Sequence, residues 1–204
     1  MEKINQWSLL QAIRQIIYVI LVLCVILAVR GVSYSYLDNT FTEHGIIENV
    51  QLGLLSVATA VFIGLTRIYF VHKSLFYILA SLACFAAFRE LDRFFFHLLP
   101  VISWKFAYLF PLMALIHAWR HKTNFIHSLN FFLTSPAFYM MIMALTIALP
   151  LAQGIGDKRL VTNVLGATQM RDIKELFEEH CELIGYFIIF LSSIECYLNF
   201  KKRP

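Results

Sequence analysis

The chain has 204 residues, of which 59% are hydrophobic and 15% are charged, and its formal net charge is +4 at pH 7. Soluble globular proteins hold about 45–50% apolar and about 25% charged residues, so this composition excludes a soluble enzyme, a disordered chain and a secreted disulfide scaffold. The lysines and arginines form no block of the kind that binds nucleic acid. With a mean hydropathy of +0.69, the chain is expected to be an integral membrane protein in contact with membrane lipids.

Six stretches are long and apolar enough to cross a membrane as helices, which takes about 20 residues each. The sequence IIYVILVLCVILAV forms the centre of the first stretch. Pro111 lies inside the fourth, where we expect a kink, and Pro136 begins the fifth. The predicted fold is therefore all-α, an integral membrane bundle of six transmembrane helices in a single domain over residues 1–204. The spans cover residues 16–36, 46–69, 75–99, 101–119, 136–153 and 176–200.

The distribution of basic residues predicts the orientation, because lysine and arginine accumulate in cytoplasmic loops. With both termini inside, nine of the 17 basic residues fall on the cytoplasmic side with only two of the 13 carboxylates. The opposite side holds eight basic residues, of which Arg89 and Arg93 count little because they lie inside a span. We therefore expect both termini to be cytoplasmic, in the inner (plasma) membrane of a bacterium.

Three polar segments would share the non-cytoplasmic face of this bundle. They are TEHGIIENVQ at the start of the second span, FRELDRFFFH at the end of the third and DIKELFEEHCELIGY at the start of the sixth. A charged residue costs about 2.5–3.5 kcal/mol at the centre of a membrane helix and less toward its ends. Such residues normally face the protein interior, pair with one another or line a wet cavity. The three segments together predict one shared site.

Helical spacing selects the residues of this site, because residues three, four or seven apart share one face of a helix. Glu182 is the most informative of them, since it lies one to two turns deeper than Glu175. The selected positions are His44, Glu48 and Gln51 on the second span, Glu90 with His97 and also Arg89, Asp92 and Arg93 on the third, and Glu175, Glu179, Glu182 and Tyr186 on the sixth.

The leading interpretation of these residues is a metal-assisted hydrolase that acts on a lipid or another amphiphile. Carboxylates and imidazoles are suitable ligands for a divalent metal such as Zn, Mn or Fe, which would generate a hydroxide nucleophile from bound water. Glu48 or Glu182 would act as the general base, while Arg89 or Arg93 would hold an anionic headgroup or a developing oxyanion. The expected metal ligands are His44, Glu48, Glu90, Asp92, His97, Glu179 and Glu182.

Three other interpretations stay open. The same residues could form a salt-bridge network that holds three helices together, or could be the proton relay of a proton-coupled transporter. They could also form the docking face of a non-catalytic subunit or assembly factor with a membrane-protein partner. No motif decides among them, because H-E-x-x-H, G-x-S-x-G and the P-loop are absent and the four cysteines form no C-x-x-C pair.

Overall fold

The computed structural model describes residues 6–36, 46–91, 104–151 and 170–201. Within these ranges the chain is helical with no strand, so the predicted all-α class is confirmed for this part of the chain. The α-helices are α1 (Gln6–Tyr36), α2 (Ile46–Ile68), α3 (Lys73–Glu90), α4 (Leu109–Arg120), α5 (Lys122–Leu133), α6 (Pro136–Thr146) and α7 (Met170–Lys201). The 3-10 helix Phe70–His72 precedes α3, the 3-10 helix Trp104–Tyr108 precedes α4, and the π-helix Ile147–Leu151 follows α6.

Several of these helices are long and apolar enough to cross a membrane, as a multi-pass membrane protein requires. Four stretches satisfy this condition in the described ranges, and they overlap the predicted first, second, third and sixth spans. A fifth candidate consists of α5 and α6 together, which are bent by 81° where they join. The four stretches are Leu9–Ala28, Ile47–Ile68, Phe70–Glu90 and Glu178–Lys201.

The predicted fourth and fifth spans differ from the observed helices in two respects. Pro111 lies in the first turn of α4, where its missing N–H is not needed for a helical hydrogen bond, so the helix begins there instead of being kinked. Residues between these spans form the additional helix α5, with Ser128 buried and Asn124 exposed. The helix α5 is not predicted from the sequence, because this short segment is rich in polar residues, as loops between spans are.

The start of α6 is the one that the sequence predicts. Pro136 is its first residue, and the Ser135 side chain accepts a hydrogen bond from the backbone N–H of Phe138 at 3.3 Å. A serine cap followed by proline is a favourable helix start, because the cap satisfies a free N–H and proline has none to lose.

Contacts between backbone atoms divide the chain into two compact units, residues 1–43, which include α1, and residues 44–204. In the second unit α2 packs against α3 and α7, α4 against α3, and α6 against α7. An aromatic core ties the C-terminal end of α7 to α2 and α3. Phe62, Phe76 and Phe200 are fully buried there, and the rings of Phe76 and Phe200 meet edge to face at 4.9 Å.

The helix α6 and the π-helix that follows it both pack against α7, and the approach at Gly185 leaves no room for a side chain. A Cβ atom added at Gly185 on α7 would lie 2.6 Å from Ala148 Cβ and 2.9 Å from the carbonyl oxygen of Ala144. Small residues at a helix interface allow this approach in membranes. The contact fixes the position of α7, which carries half of the polar site.

Candidate functional site

Arg89, in the last turn of α3, joins α3 to α7 through its guanidinium group. Its Nη2 atom donates to Glu90 Oε1 at 3.1 Å and to Tyr186 Oη at 2.9 Å, and it also pairs closely with Glu182 Oε1. The side chains of Glu90 and Glu182 are only 12% and 11% exposed, and that of Arg89 is 30% exposed. One half-buried guanidinium group is therefore paired with two largely buried carboxylates.

The hydroxyl group of Tyr186 completes a ring of hydrogen bonds in this cluster. It accepts from Arg89 and donates to Glu90 Oε1 at 2.7 Å. Tyr186 lies one helical turn after Glu182 on α7, so both side chains face α3. We call Arg89, Glu90, Glu182 and Tyr186 the Arg89 cluster.

Gln51 brings α2 to the same end of the bundle. Its side chain is fully buried, and its Nε2 atom donates to the backbone oxygen of Glu179 at 3.1 Å and to Glu179 Oε2 at 3.4 Å. Glu179 lies three residues before Glu182 on α7, on the same face. Gln51 Oε1 is buried and receives no hydrogen bond from the described residues.

The formal charges within the Arg89 cluster do not cancel. Glu90 and Glu182 both pair with the guanidinium group of Arg89. If both carboxyl groups are ionised, these three side chains carry one net negative charge close to the ends of two candidate spans. Such an excess in poorly hydrated surroundings favours the uptake of a proton or of another cation.

The structure describes some of the predicted site residues and brings three of them together. It brings Arg89, Glu90 and Glu182 into direct contact and sets Glu179 beside them, while Glu48 lies half-buried in the first turn of α2. The roles predicted for them stay predictions. The remaining predicted site residues, which are His44, Asp92, Arg93 and His97, lie outside the described residues.

The predicted metal centre is not assembled by the residues that the structure describes. Among them, no three histidine, cysteine, aspartate or glutamate side chains are close enough together to hold a metal ion. Four of the seven predicted ligands are described, and Arg89 contacts Glu90 and Glu182 directly. The metal centre therefore remains a prediction that depends on His44, Asp92 and His97 as well.

Gln51 and Tyr186 contribute to the site although the sequence predicts no role for them. They lie on the predicted polar stripes, and they supply the amide and the hydroxyl group that link the helices. The spacing of Glu179, Glu182 and Tyr186 is the signal that could have found Tyr186. No comparable signal identifies the partner of Gln51, because it lies on another helix.

Comparison of the chain with known protein families, with curated proteins and with solved structures found no match. The chemistry of the site is therefore the basis for a functional assignment. The described residues offer several hydrogen-bond acceptors, one arginine that is already paired and one phenol that bridges two charged groups. This arrangement can bind a proton or another cation.

Proposed function

We propose that the protein is a proton-coupled membrane transporter in which Glu90 and Glu182 carry the coupling proton. The observation that carries the proposal is that these two largely buried carboxylates share one guanidinium nitrogen of Arg89. An uncompensated charge is costly in poorly hydrated surroundings. Binding of one proton at this pair removes the excess negative charge of the pair.

The same contacts give proton binding a structural consequence. Protonation of Glu182 would weaken its ion pair with Arg89 and leave the guanidinium group paired with Glu90 and Tyr186. Since Arg89 lies on α3 and Glu182 on α7, this change would remove one of the contacts between two spans. A transporter needs such a link between an ion-binding event and two arrangements of its helices.

We also infer that the chain crosses the membrane six times, with both termini in the cytoplasm and the Arg89 cluster near the outer face of a bacterial inner (plasma) membrane. The basic residues of the described helices support this orientation. Arg67 lies in the last turn of α2, Lys73 begins α3 and Lys201 ends α7, so each lies at the end of its helix that is remote from the Arg89 cluster. Basic residues prefer the cytoplasmic side.

Proton movement by the purified protein tests the proposal. The protein is reconstituted into vesicles that contain a pH-sensitive dye, and a membrane potential drives proton uptake. We expect uptake by the wild type and, for Glu182→Gln, a rate close to that of vesicles without protein, because an amide cannot carry the proton.

The matched control is Glu195→Gln, which alters another buried carboxylate on the same helix, about 20 Å from Glu182 along the helix axis. We expect it to keep most of the wild-type rate. Wild-type vesicles that take up protons no faster than vesicles without protein would reject the transporter.

A metal-assisted hydrolase acting on a lipid or amphiphile is the second candidate. The observation that favours it is the convergence of Glu90 and Glu182, from two helices, on one point, as carboxylate ligands of a metal in a helical bundle do. Elemental analysis of the purified protein and lipid turnover are the tests. The absence of bound metal, together with unchanged turnover when Glu48 and Glu182 are both replaced by alanine, would remove this candidate.

A further inference from the structure

We propose that the end of the bundle opposite to the Arg89 cluster binds the headgroup of an anionic phospholipid. The site consists of Lys73 and Tyr77 on α3, His117 on α4 and His121, the residue that follows α4. We call these four residues the Tyr77 cluster. The proposal does not depend on proton transport, because it concerns a different part of the molecule.

The ring of Tyr77 brings the basic groups of two helices together. Lys73 Nζ lies 5.4 Å from the centre of this ring, and the His117 ring meets it edge to face with 5.1 Å between the ring centres. The ring centres of His117 and His121 are 4.7 Å apart. Lys73 and Tyr77 are four residues apart, as are the two histidines, so each pair shares one face of its helix. One ammonium group and two imidazoles therefore adjoin the same surface.

In the described part of the chain, no carboxylate pairs with the Tyr77 cluster. Lys73 is half-buried, and its Nζ atom lies over the rings of Phe70 and Tyr77. His117 is half-buried as well, and the charges of Lys73 and Arg120 both act on it. Positive groups that are close together and partly shielded from water repel one another. Binding of an anion would remove this repulsion.

The sequence explains why the protein itself supplies no anion here. It contains no aspartate or glutamate from residue 49 to residue 89 or from residue 93 to residue 156. The helices α4, α5 and α6 thus lack a carboxylate, and α3 has only its last residue, Glu90. On α7, the carboxylate nearest to this end is Glu195, which is fully buried. An anion for this surface must come from outside these helices.

Apolar side chains beside the cluster favour a lipid over a soluble anion. Met113 lies one helical turn before His117, Phe110 lies about one turn further, and both are exposed on the same face of α4. The distance from Phe110 to His117 along the helix is about 10 Å, within the about 15 Å of hydrocarbon in one leaflet. An acyl chain can contact these two side chains while its phosphate group contacts the Tyr77 cluster.

The donors of the cluster fit a phosphate group that keeps its negative charge. Lys73 has three N–H donors, and hydrogen bonds from a charged donor to a phosphate oxygen are stronger than neutral ones. Basic pockets between membrane helices bind anionic headgroups in this way. Phosphatidylcholine also has a phosphate group, but Lys73 and Arg120 would repel its quaternary ammonium. Phosphatidylglycerol has no such cation and is the expected ligand.

Thermal unfolding of the purified full-length protein in a neutral detergent tests the proposal. The probes are dioctanoyl phosphatidylglycerol, dioctanoyl phosphatidylcholine and glycerol phosphate, and native mass spectrometry counts the molecules bound. We expect phosphatidylglycerol to raise the unfolding temperature and phosphatidylcholine to bind at least about tenfold more weakly, because it brings no net charge. Glycerol phosphate should also bind at least about tenfold more weakly, because it has no acyl chain to bury.

Lys73→Gln removes one positive charge of the cluster and is expected to weaken phosphatidylglycerol binding about fivefold. Its matched control is Lys201→Gln at the end of α7. Lys201 Nζ also lies over a tyrosine ring, 5.8 Å from the centre of the Tyr197 ring, but it does not belong to the Tyr77 cluster. This control should leave binding unchanged. If Lys73→Gln does not fold, His121→Gln replaces it, at an exposed position.

Three results would overturn the proposal. Equal binding of the two lipids would show that charge does not select the headgroup. Equal effects of Lys73→Gln and Lys201→Gln would show a general attraction of anions to this end of the protein and no site at the Tyr77 cluster. Binding of glycerol phosphate as tight as that of phosphatidylglycerol would identify a site for soluble phosphate compounds.

Discussion

Arg89 is the residue on which the polar site depends most directly. Its Nη2 atom contacts two carboxylates and one phenol from two helices. Helical spacing shows from the sequence alone that Glu179, Glu182 and Tyr186 share one face of α7. It cannot show that Arg89 is their partner, because that depends on the relative position of α3 and α7.

Replacing Arg89 with methionine is expected to lower the free energy of unfolding by about 2 kcal/mol. This value lies between those of exposed and buried ion pairs, because Arg89 is 30% exposed while its partners are largely buried. The double variant Arg89→Met, Glu182→Gln should regain part of the loss, since it no longer leaves two carboxylates unpaired. Denaturant unfolding in mixed micelles measures both.

The control for this cycle is Arg120→Met, because Arg120 is exposed at the end of α4. It should change the free energy of unfolding by no more than about 0.5 kcal/mol. A double variant that is less stable than Arg89→Met alone would contradict the charge imbalance inferred here.

At the scale of elements, the contact between α6 and α7 determines how α7 presents its polar face. Gly185 lies three residues after Glu182 and one before Tyr186, at a position where an added Cβ atom would collide with Ala144 and Ala148. The start of α6 could be predicted from Ser135 and Pro136. The existence of α5 could not, because its apolar residues are too few to stand out from a loop.

Gly185→Ala is expected to destabilise the protein by about 1–3 kcal/mol, since overpacking of a tight contact forces backbone shifts. The added Cβ would lie 2.6 Å from Ala148 Cβ and 2.9 Å from Ala144 O. The control is Gly53→Ala on α2, where a Cβ meets no atom within 4 Å. That change should be neutral or stabilising, because alanine favours a helix by up to about 1 kcal/mol over glycine. Equal effects of the two changes on thermal unfolding would contradict the close helix contact.

At the scale of the whole molecule, the two ends of the long helices differ in charge. The Arg89 cluster lies where α3 ends, whereas Lys73 begins that helix and Lys201 ends α7. The positions of Gln51 and Arg67 on α2 follow the same polarity. The acidic end and the basic ends are thus separated along the helix axes, which supports the proposed orientation.

Cysteine labelling on the two sides of α4 tests whether this helix crosses the membrane and in which direction. In a variant whose four native cysteines are replaced by alanine, a single cysteine is placed at Lys105 or at Thr123, which are exposed on either side of α4. We expect a membrane-impermeant maleimide to label Lys105→Cys in intact cells and Thr123→Cys only after permeabilisation. Labelling of both from the same side would show that α4 does not cross the membrane.

The sequence by itself determined that the protein is helical and suited to a membrane, because apolar composition and stretch length are local properties of the chain. It also determined which of Glu179, Glu182 and Tyr186 share a face, because helical geometry fixes that spacing. The tertiary structure decided that Arg89 lies among Glu90, Glu182 and Tyr186, and that Gln51 donates to Glu179. These contacts join separate helices, and their distances depend on packing such as the close approach at Gly185, which no local pattern in the sequence specifies.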